Sequence, residues 1–382
     1  MRLIEEGLRA VEPERLTREA LSATEGPASV VAIGKAAAGM CRGAADIVAN
    51  LGGICVTNNT LESVPAGIQM VIGDHPIPGD SSFAAGQRAL EVAAAARHRL
   101  IALISGGGSA LCEHPLKGIP AQFIREINTR LFESGASIQE INLVRRHLSA
   151  LKNGGLARSA PTPVDTYVIS DVCGADLSVV ASGPTVARPR DPDASIAVMT
   201  GYGIEVPEAI SEAIRSTPDY PGTKGRVVSI ADGHTARDAV VEAATRNGLQ
   251  AKELPGWLEG RIEDALDWFF EHAGPGITVA AGEPEVTVTG GGSGGRNTHA
   301  GLMAAARISG TDAVFSAFAT DGIDGNTQSA GAIVDGYTLE RGGSPGPALE
   351  HCDSATYLER SGDLVITGPT GTNVSDLWIL CR

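Results

Sequence analysis

The chain has 382 residues, with 30 Lys and Arg against 45 Asp and Glu, which gives a formal charge of −15. That length suffices for two or three domains with real cores, and an apolar share of 43% with 20% charged residues excludes a disordered chain. The acidic balance, with no basic stripe, speaks against nucleic acid or anionic membrane as the main partner, so an anionic substrate needs a local positive patch.

Strand-like runs alternate with helical patterns along the chain. Ser29–Ile33 reads as a buried strand, and an alanine-rich helix follows Gly34-Lys35. Gly53–Thr57 and Ile68–Ile72 are further strands, succeeded by a helix from Ser81 to about His98. Leu100–Ile104 is a buried strand that runs straight into Ser105-Gly106-Gly107-Gly108-Ser109. Ser137 and Glu140 have the spacing of a capping box and predict a helix reaching about Leu151. Asp165–Ser170 is again strand-like. From Gly183 to Gly225, six prolines punctuate an irregular connection with one short helix, and a soft boundary falls near 221–225. Beyond it Arg226–Ala231, Ile277–Ala281, Glu285–Thr289, Ala313–Ala319 and Leu364–Thr367 read as strands. His234–Asn247, Arg261–His272 and Asn297–Ser309 read as helices. The alternation predicts two α/β domains with a largely parallel sheet.

The six cysteines stand at irregular spacings without a CxxC pair, as reduced core residues do. The first 21 residues are charged and interrupted by Pro13, and no segment has the length of a membrane span, so the expectation is a soluble cytoplasmic protein.

In an open α/β sheet, ligands bind where strand ends lead into helices. The 48 glycines, well above the usual share of about 7%, cluster in such loops. Lys35, after Gly34, stands where it neutralises a phosphate or is a solvated lysine at a helix start. Ser105, Gly106, Gly107, Gly108 and Ser109 form either an anion-binding nest of N–H groups or a flexible turn. Asp171, at a strand end, and Asp176 suit Mg²⁺ or a general base, with a cap as the alternative. Gly290–Gly295 satisfies G-x-G-x-x-G only because the run is so rich in glycine and is read instead as a second nest of N–H donors, and Arg296 at the following helix start suits a planar clamp for phosphoryl or carboxylate oxygens. Asp321 and Asp324 serve a metal, a ribose or two tight turns. Gly368–Val374 offers Thr370, Thr372 and Asn373 as donors or caps.

Taken together, these loops resemble the type 2 glycerate kinases, whose C-terminal part is called the MOFRL domain. The resemblance rests on Ala32–Ala36, Gly73–Pro78, Ser105–Leu111, His147–Lys152, Ser170–Val172 and Ala181–Thr185 in the first half. In the second half it rests on Gly294-Gly295-Arg296-Asn297, Thr320–Gly325 and Thr367–Val374, so that it covers nearly the whole chain in family order. It implies ATP-dependent phosphorylation of D-glycerate to 2-phosphoglycerate with Mg²⁺. It also implies a Rossmann-like N-terminal domain (1–224), a smaller MOFRL-like α/β domain (225–382) and an active site in the interdomain cleft, with a homodimer compatible. The family's functional lysine falls on Lys35 and its functional arginine on Arg296, while Asp171 is the candidate base and Asp171 with Asp176 the candidate metal pair. The nucleotide and substrate contacts then fall on Gly34, Ser105–Ser109, Gly294, Gly295, Asn297, Asp321, Thr370, Thr372 and Asn373. Two departures from the family pattern, Thr298-His299 and Gln328, bear on substrate identity. Two rivals stand beside the kinase: an NAD(P)H-dependent hydroxypyruvate reductase, and a binding protein that retains the site without turnover.

Overall fold

The computed structural model describes every residue except Cys173, Ala175, Pro221, Thr223 and Lys224. Cys173 and much of the expected 221–225 boundary therefore lie outside the described residues. The chain forms two compact units, one of Pro13–Ser170 with Gly174–Ile230 and one of Met1–Glu12, Asp171–Cys173 and Ala231–Arg382.

The first unit is built on strands β1 (Ser29–Ile33), β2 (Gly52–Thr57), β3 (Ile68–Ile72), β4 (Leu100–Ser105), β5 (Val164–Ile169) and β6 (Val227–Ala231). Their order in the sheet is β3-β2-β1-β4-β5-β6, and the four pairings from β3 to β5 are parallel. Val30–Ile33 and Leu100–Leu103 are wholly buried, as strands covered on both faces must be, which is why they read as unbroken apolar runs. Helices Ala37–Ala45 and Asp80–Ala95 follow β1 and β3. Ser137 and Glu140 close the expected capping box, and their helix runs Ile138–Leu148.

Three expectations need correction here. The strand near 226–231 joins the first sheet beside β5, not the C-terminal half. The proline-punctuated segment holds two helices, Pro192–Gly201 and Glu208–Ser216. Asp191 caps the first with Pro192 at its start, and Met199, Ile204, Ile210 and Ile214 join a core with Ile124, Ile127 and Leu148. Glu285–Thr289 forms no strand, only an isolated bridge from Glu285 to Arg261. Pro284 has no N–H to give a ladder, and although Val286 packs against the core, Val288 remains exposed, so only the start of the alternation is buried.

The second unit carries β7 (Ala251–Glu253), β8 (Ile277–Gly282), β9 (Val314–Ala319), β10 (Gly331–Asp335), β11 (Leu364–Val365) and β12 (Asp376–Cys381). They are ordered β11-β10-β9-β12-β8-β7, and every pairing is antiparallel except β7 with β8. Phe269, Phe315 and Trp378 pack edge to face at centroid distances of 5.7 to 5.8 Å and anchor its core. The N-terminal helix Arg2–Ala10 belongs to this unit because Ile4 and Gly7 are buried. A Cβ on Gly7 would stand 3.0 Å from Val240 and 3.2 Å from Leu377. No described helix is long and apolar enough to cross a membrane.

Candidate functional site

In the first unit the strand order reverses between β1 and β4, and the loops leaving their carboxyl ends lie side by side there. Gly34 has φ +127°, and a Cβ would collide with Ser105, so only glycine lets the two loops close up. Lys35 N–H donates to Gly106 O at 2.9 Å, and Ala36 N–H donates to the buried Ser105 Oγ at 3.1 Å. Ser105 is thus a clamp between loops. Gly107 is left-handed, with φ +80°. A Cβ there would stand 3.2 Å from Lys35 Cγ and 3.7 Å from His75 Nε2, so the lysine stem lies directly over the glycine turn. The short helix Gly108–Leu111 follows, and its first turn has N–H groups with no intrahelical acceptor. Ser109 Oγ lies 2.9 Å from Ser182 Oγ, which in turn donates to Asn142 Oδ1 at 2.8 Å. Asp176 is engaged by Arg188 and accepts from Ser178 N at 3.0 Å.

In the second unit the site gathers at one edge of the sheet. Asp376 opens β12 and pairs in register with Gly282 of β8 and Ala319 of β9. Arg296, first residue of the helix Arg296–Ile308, grips Asp376 in a fork, Nε to Oδ2 at 2.5 Å and Nη2 to Oδ1 at 3.2 Å, while Nη1 meets Glu283 at 2.8 Å. Burial raises the Asp376 pKa to about 7 even though Arg296 pulls it down. Burial also opposes the Arg296 charge, but Asp376 and then Glu283 outweigh it and push its pKa up. Three guanidinium donors are engaged in this way out of the five such a group carries.

The glycine-rich loop before Arg296 differs from expectation. The N–H groups of Gly292, Ser293, Gly294 and Gly295 donate to His351 O, Asp353 Oδ1, Asn326 Oδ1 and Thr298 Oγ1 respectively. These donors hold the loop together, so the nest expected there is not free to cradle a ligand. Asn297 and Thr298 N–H both donate to the buried Asp324, at 2.9 and 2.8 Å, and Thr298 Oγ1 adds a third bond at 2.8 Å. Asp324 is therefore the carboxylate cap of this helix, pushed up in pKa by burial against those donors. Thr298 is wholly buried in that network and Gln328 is exposed, so one departure from the family pattern is internal and the other lies at the surface. Asn297 Nδ2 donates to Asp324 as well, at 3.3 Å, so Asp324→Ala should strip the acceptor from four buried donors and lower stability by about 2–4 kcal/mol, read as a fall in the thermal midpoint; an unchanged midpoint would refute this role.

The loop after β9 and the loop before β12 are pressed together. Gly322, at φ +85°, admits no Cβ because Gly368 O occupies the space. Thr370 Oγ1 donates to Thr320 O at 2.5 Å, and Asp321 Oδ1 accepts from Ile323 N at 3.0 Å in a tight turn. Thr372 Oγ1 is buried and donates to Val11 O at 3.0 Å, which ties the loop to the N-terminal segment. Asn373 Nδ2 donates to Asp171 Oδ2 at 3.1 Å. The structure thus brings Asp171 and Asn373 together, and Arg296 with Asp376 and Glu283. Sequence reasoning missed Asp376 and Glu283. The only signal was their place beside strand ends, Glu283 just after β8 and Asp376 at the head of an apolar run.

Residues 1–215 match the model for the Domain of unknown function (DUF4147), and residues 276–376 match the MOFRL family. A glycerate 2-kinase of Pyrococcus horikoshii is 34% identical over 99% of this chain and 96% of its own length. A D-glycerate 2-kinase of Thermotoga maritima is 34% identical with the same coverages. The chain belongs to the glycerate 2-kinase family. The crystal structure of a glycerate kinase from Thermotoga maritima superposes with a TM-score of 0.89 at 33% identity, covering 100% of this chain and 97% of that one. Family membership also includes an Agrobacterium vitis relative, 37% identical over 91% of this chain and 85% of its own, which is provisionally named a hydroxypyruvate reductase.

Proposed function

We propose that the protein is a phosphotransferase with an alcohol group as acceptor, which uses ATP to phosphorylate D-glycerate to 2-phosphoglycerate. The observation that carries this reading is the glycine turn Gly106–Gly108, packed beneath Lys35 at the carboxyl ends of β1 and β4. The strand order around it supports a Rossmann-like reading of the first unit, and relatives named glycerate 2-kinase across nearly the full length support the substrate.

Phosphoryl transfer asks the protein for positioning and charge neutralisation more than for covalent chemistry. Lys35 offsets charge on phosphoryl oxygens, and the N–H groups of Gly107, Gly108 and Ser109 add donors. Arg296, held flat by Asp376, presents its remaining donors to an anionic oxygen. Asp171 takes the proton of the substrate hydroxyl, steadied by Asn373. Thr370 and Asp321 shape the neighbouring turn. Mg²⁺ in such enzymes is bound by one or two carboxylates together with substrate phosphates, and it neutralises charge on them. Asp171 fits that donor set; Asp176 joins it only if its ion pair with Arg188 opens. The free thiols at Cys41, Cys55, Cys112, Cys352 and Cys381 support a cytoplasmic setting.

The test is regiochemical as well as chemical. Incubation with D-glycerate and MgATP, coupled to enolase, pyruvate kinase and lactate dehydrogenase without phosphoglycerate mutase, should consume NADH at once. A signal that waits for added mutase would identify 3-phosphoglycerate and overturn the assigned position. The second reading, suggested by the provisional name of the Agrobacterium vitis relative, is hydroxypyruvate reduction. It predicts NADH or NADPH oxidation by hydroxypyruvate without ATP.

A further inference from the structure

At the end of the Ser105–Ser109 loop lies a group of charges that the proposed reaction has not used. Lys152 and Glu113 form an ion pair with 0% and 1% side-chain exposure. Arg145, on the helix Ile138–Leu148, is the second cation of this group, and Glu113 acts on it electrostatically. That carboxylate is already in direct contact with Lys152. Cys112 beside them stays a neutral thiol, its pKa pushed up to about 12 by burial. Burial pulls the pKa of both cations down and Glu113 opposes it, and within this group two cations and one anion leave one positive charge over. Among the described residues, no carboxylate forms an ion pair with Arg145.

The guanidinium is held by neutral groups instead. Its Nε donates to Oδ1 of the buried Asn128 at 2.5 Å, and its Nη1 approaches Ser109 Oγ at 3.4 Å. Asn128 is itself fixed, since its Nδ2 donates to Ile124 O at 2.7 Å. The amide thus grips the Nε side and leaves the forked end directed at the last residue of the glycine loop. An uncompensated guanidinium in that position has a clear chemical complement, an anion with several oxygens. The same loop carries Lys35 over Gly107, two residues before Ser109. A single anion on this turn would then meet a cation from each end, with N–H groups between them.

We propose that Arg145 is a phosphoryl-binding residue of the Ser105–Ser109 loop, aimed there by Asn128. The assignment deepens the phosphotransferase reading and rests on it for the identity of the anion as a phosphoryl group. Asn128 acts through Arg145 and is a positioning residue. The Ser109–Ser182–Asn142 chain of hydroxyl and amide contacts keeps the loop's end in place from the other side.

Calorimetric titration of the full-length chain with inorganic phosphate tests this without turnover. The wild type should bind phosphate, and Arg145→Gln should weaken that binding by about tenfold or more, the loss expected for a charge-assisted hydrogen bond. Arg145→Lys keeps the charge and loses the fork, so it should weaken phosphate binding several-fold. D-glycerate titrated in the same way should bind both variants as it binds the wild type. Wild-type phosphate affinity in Arg145→Gln, or a wild type that binds no phosphate, overturns the proposal. So does a loss confined to D-glycerate, which would make Arg145 a carboxylate contact. If the Gln variant fails to fold, the Lys variant decides, and unchanged phosphate affinity in it overturns the proposal. A chain that loses phosphate binding on Arg145→Gln yet never phosphorylates D-glycerate would overturn the kinase reading and leave the phosphate site standing.

Discussion

Arg296→Ala is expected to lower the turnover number on D-glycerate and MgATP by about a hundredfold or more, the scale of losing a positioned charge donor at a reacting oxyanion. The same substitution should also cost stability. Asp376 is wholly buried and its carboxylate is gripped by two guanidinium nitrogens, and removal of one partner from a buried pair costs about 3 kcal/mol. Proton uptake by Asp376 reduces that cost. Burial already raises its pKa to about 7 with Arg296 in place, and loss of the cation removes the main influence holding it down. In the variant the folded pKa therefore stands well above the unfolded value of about 3.9. Both states are protonated below the unfolded pKa, so nothing is lost there. As pH rises towards the folded pKa, the unfolded chain releases a proton that the folded one retains, and stability falls. With the wild-type carboxyl already near 7, the two thermal midpoints should fall in parallel up to about that pH, and that of Arg296→Ala should go on falling above it where the wild type levels off; curves parallel throughout would refute the pairing. Arg296→Lys tells charge from geometry: a lysine cannot reproduce the fork to Asp376, so it should remain strongly impaired. Full activity in Arg296→Lys would show that charge alone suffices.

Much of this arrangement was legible in the sequence, and the limits have physical causes. Ser29–Ile33 and Leu100–Ile104 announced themselves because a doubly covered parallel strand needs an unbroken apolar run. The loops after them were equally plain, since Gly34 leaves no room for a Cβ beside Ser105 and Gly107 turns with a left-handed φ that favours glycine. β12 and β10 went unread because they are antiparallel insertions whose pairing depends on strands far off in the chain, Asp376–Cys381 lying between β8 and β9. Glu285–Thr289 failed in the opposite sense: local alternation promised a strand, but Pro284 lacks the N–H a ladder needs and the burial that begins at Val286 stops before the exposed Val288. The same limit hid Asp376 and Glu283. A half-buried arginine and a buried carboxylate pair across eighty residues, and no local pattern shows that Arg296 would spend most of its fork on the protein itself. Gly290–Gly295 looked like a nest because glycine count does not reveal who accepts the N–H groups; Asn326, His351 and Asp353 do.

Lys35→Ala should likewise reduce turnover by about a hundredfold or more, with the clamp between the two loops left in place. Its backbone N–H, which donates to Gly106 O at 2.9 Å, survives the substitution, and so does the Ala36–Ser105 bond that clamps the two loops. The cation disappears, and with it the stem lying over Gly107. Lys35→Met separates the two, because it retains apolar length over the turn and removes only the charge. If neutralisation of the transferring phosphoryl group is the lysine's task, Met and Ala variants should lose turnover equally, with KM for ATP rising far less than turnover falls. If the stem instead props the glycine turn, Lys35→Met should recover most of the activity. Lys35→Arg then sets the tolerance of the site. A planar guanidinium presents its donors in a fixed fork where the ammonium is a compact point charge, so the arginine variant should be impaired despite its intact charge. Near-normal turnover in Lys35→Ala would remove Lys35 from the mechanism and leave the glycine turn as a structural feature of the first unit.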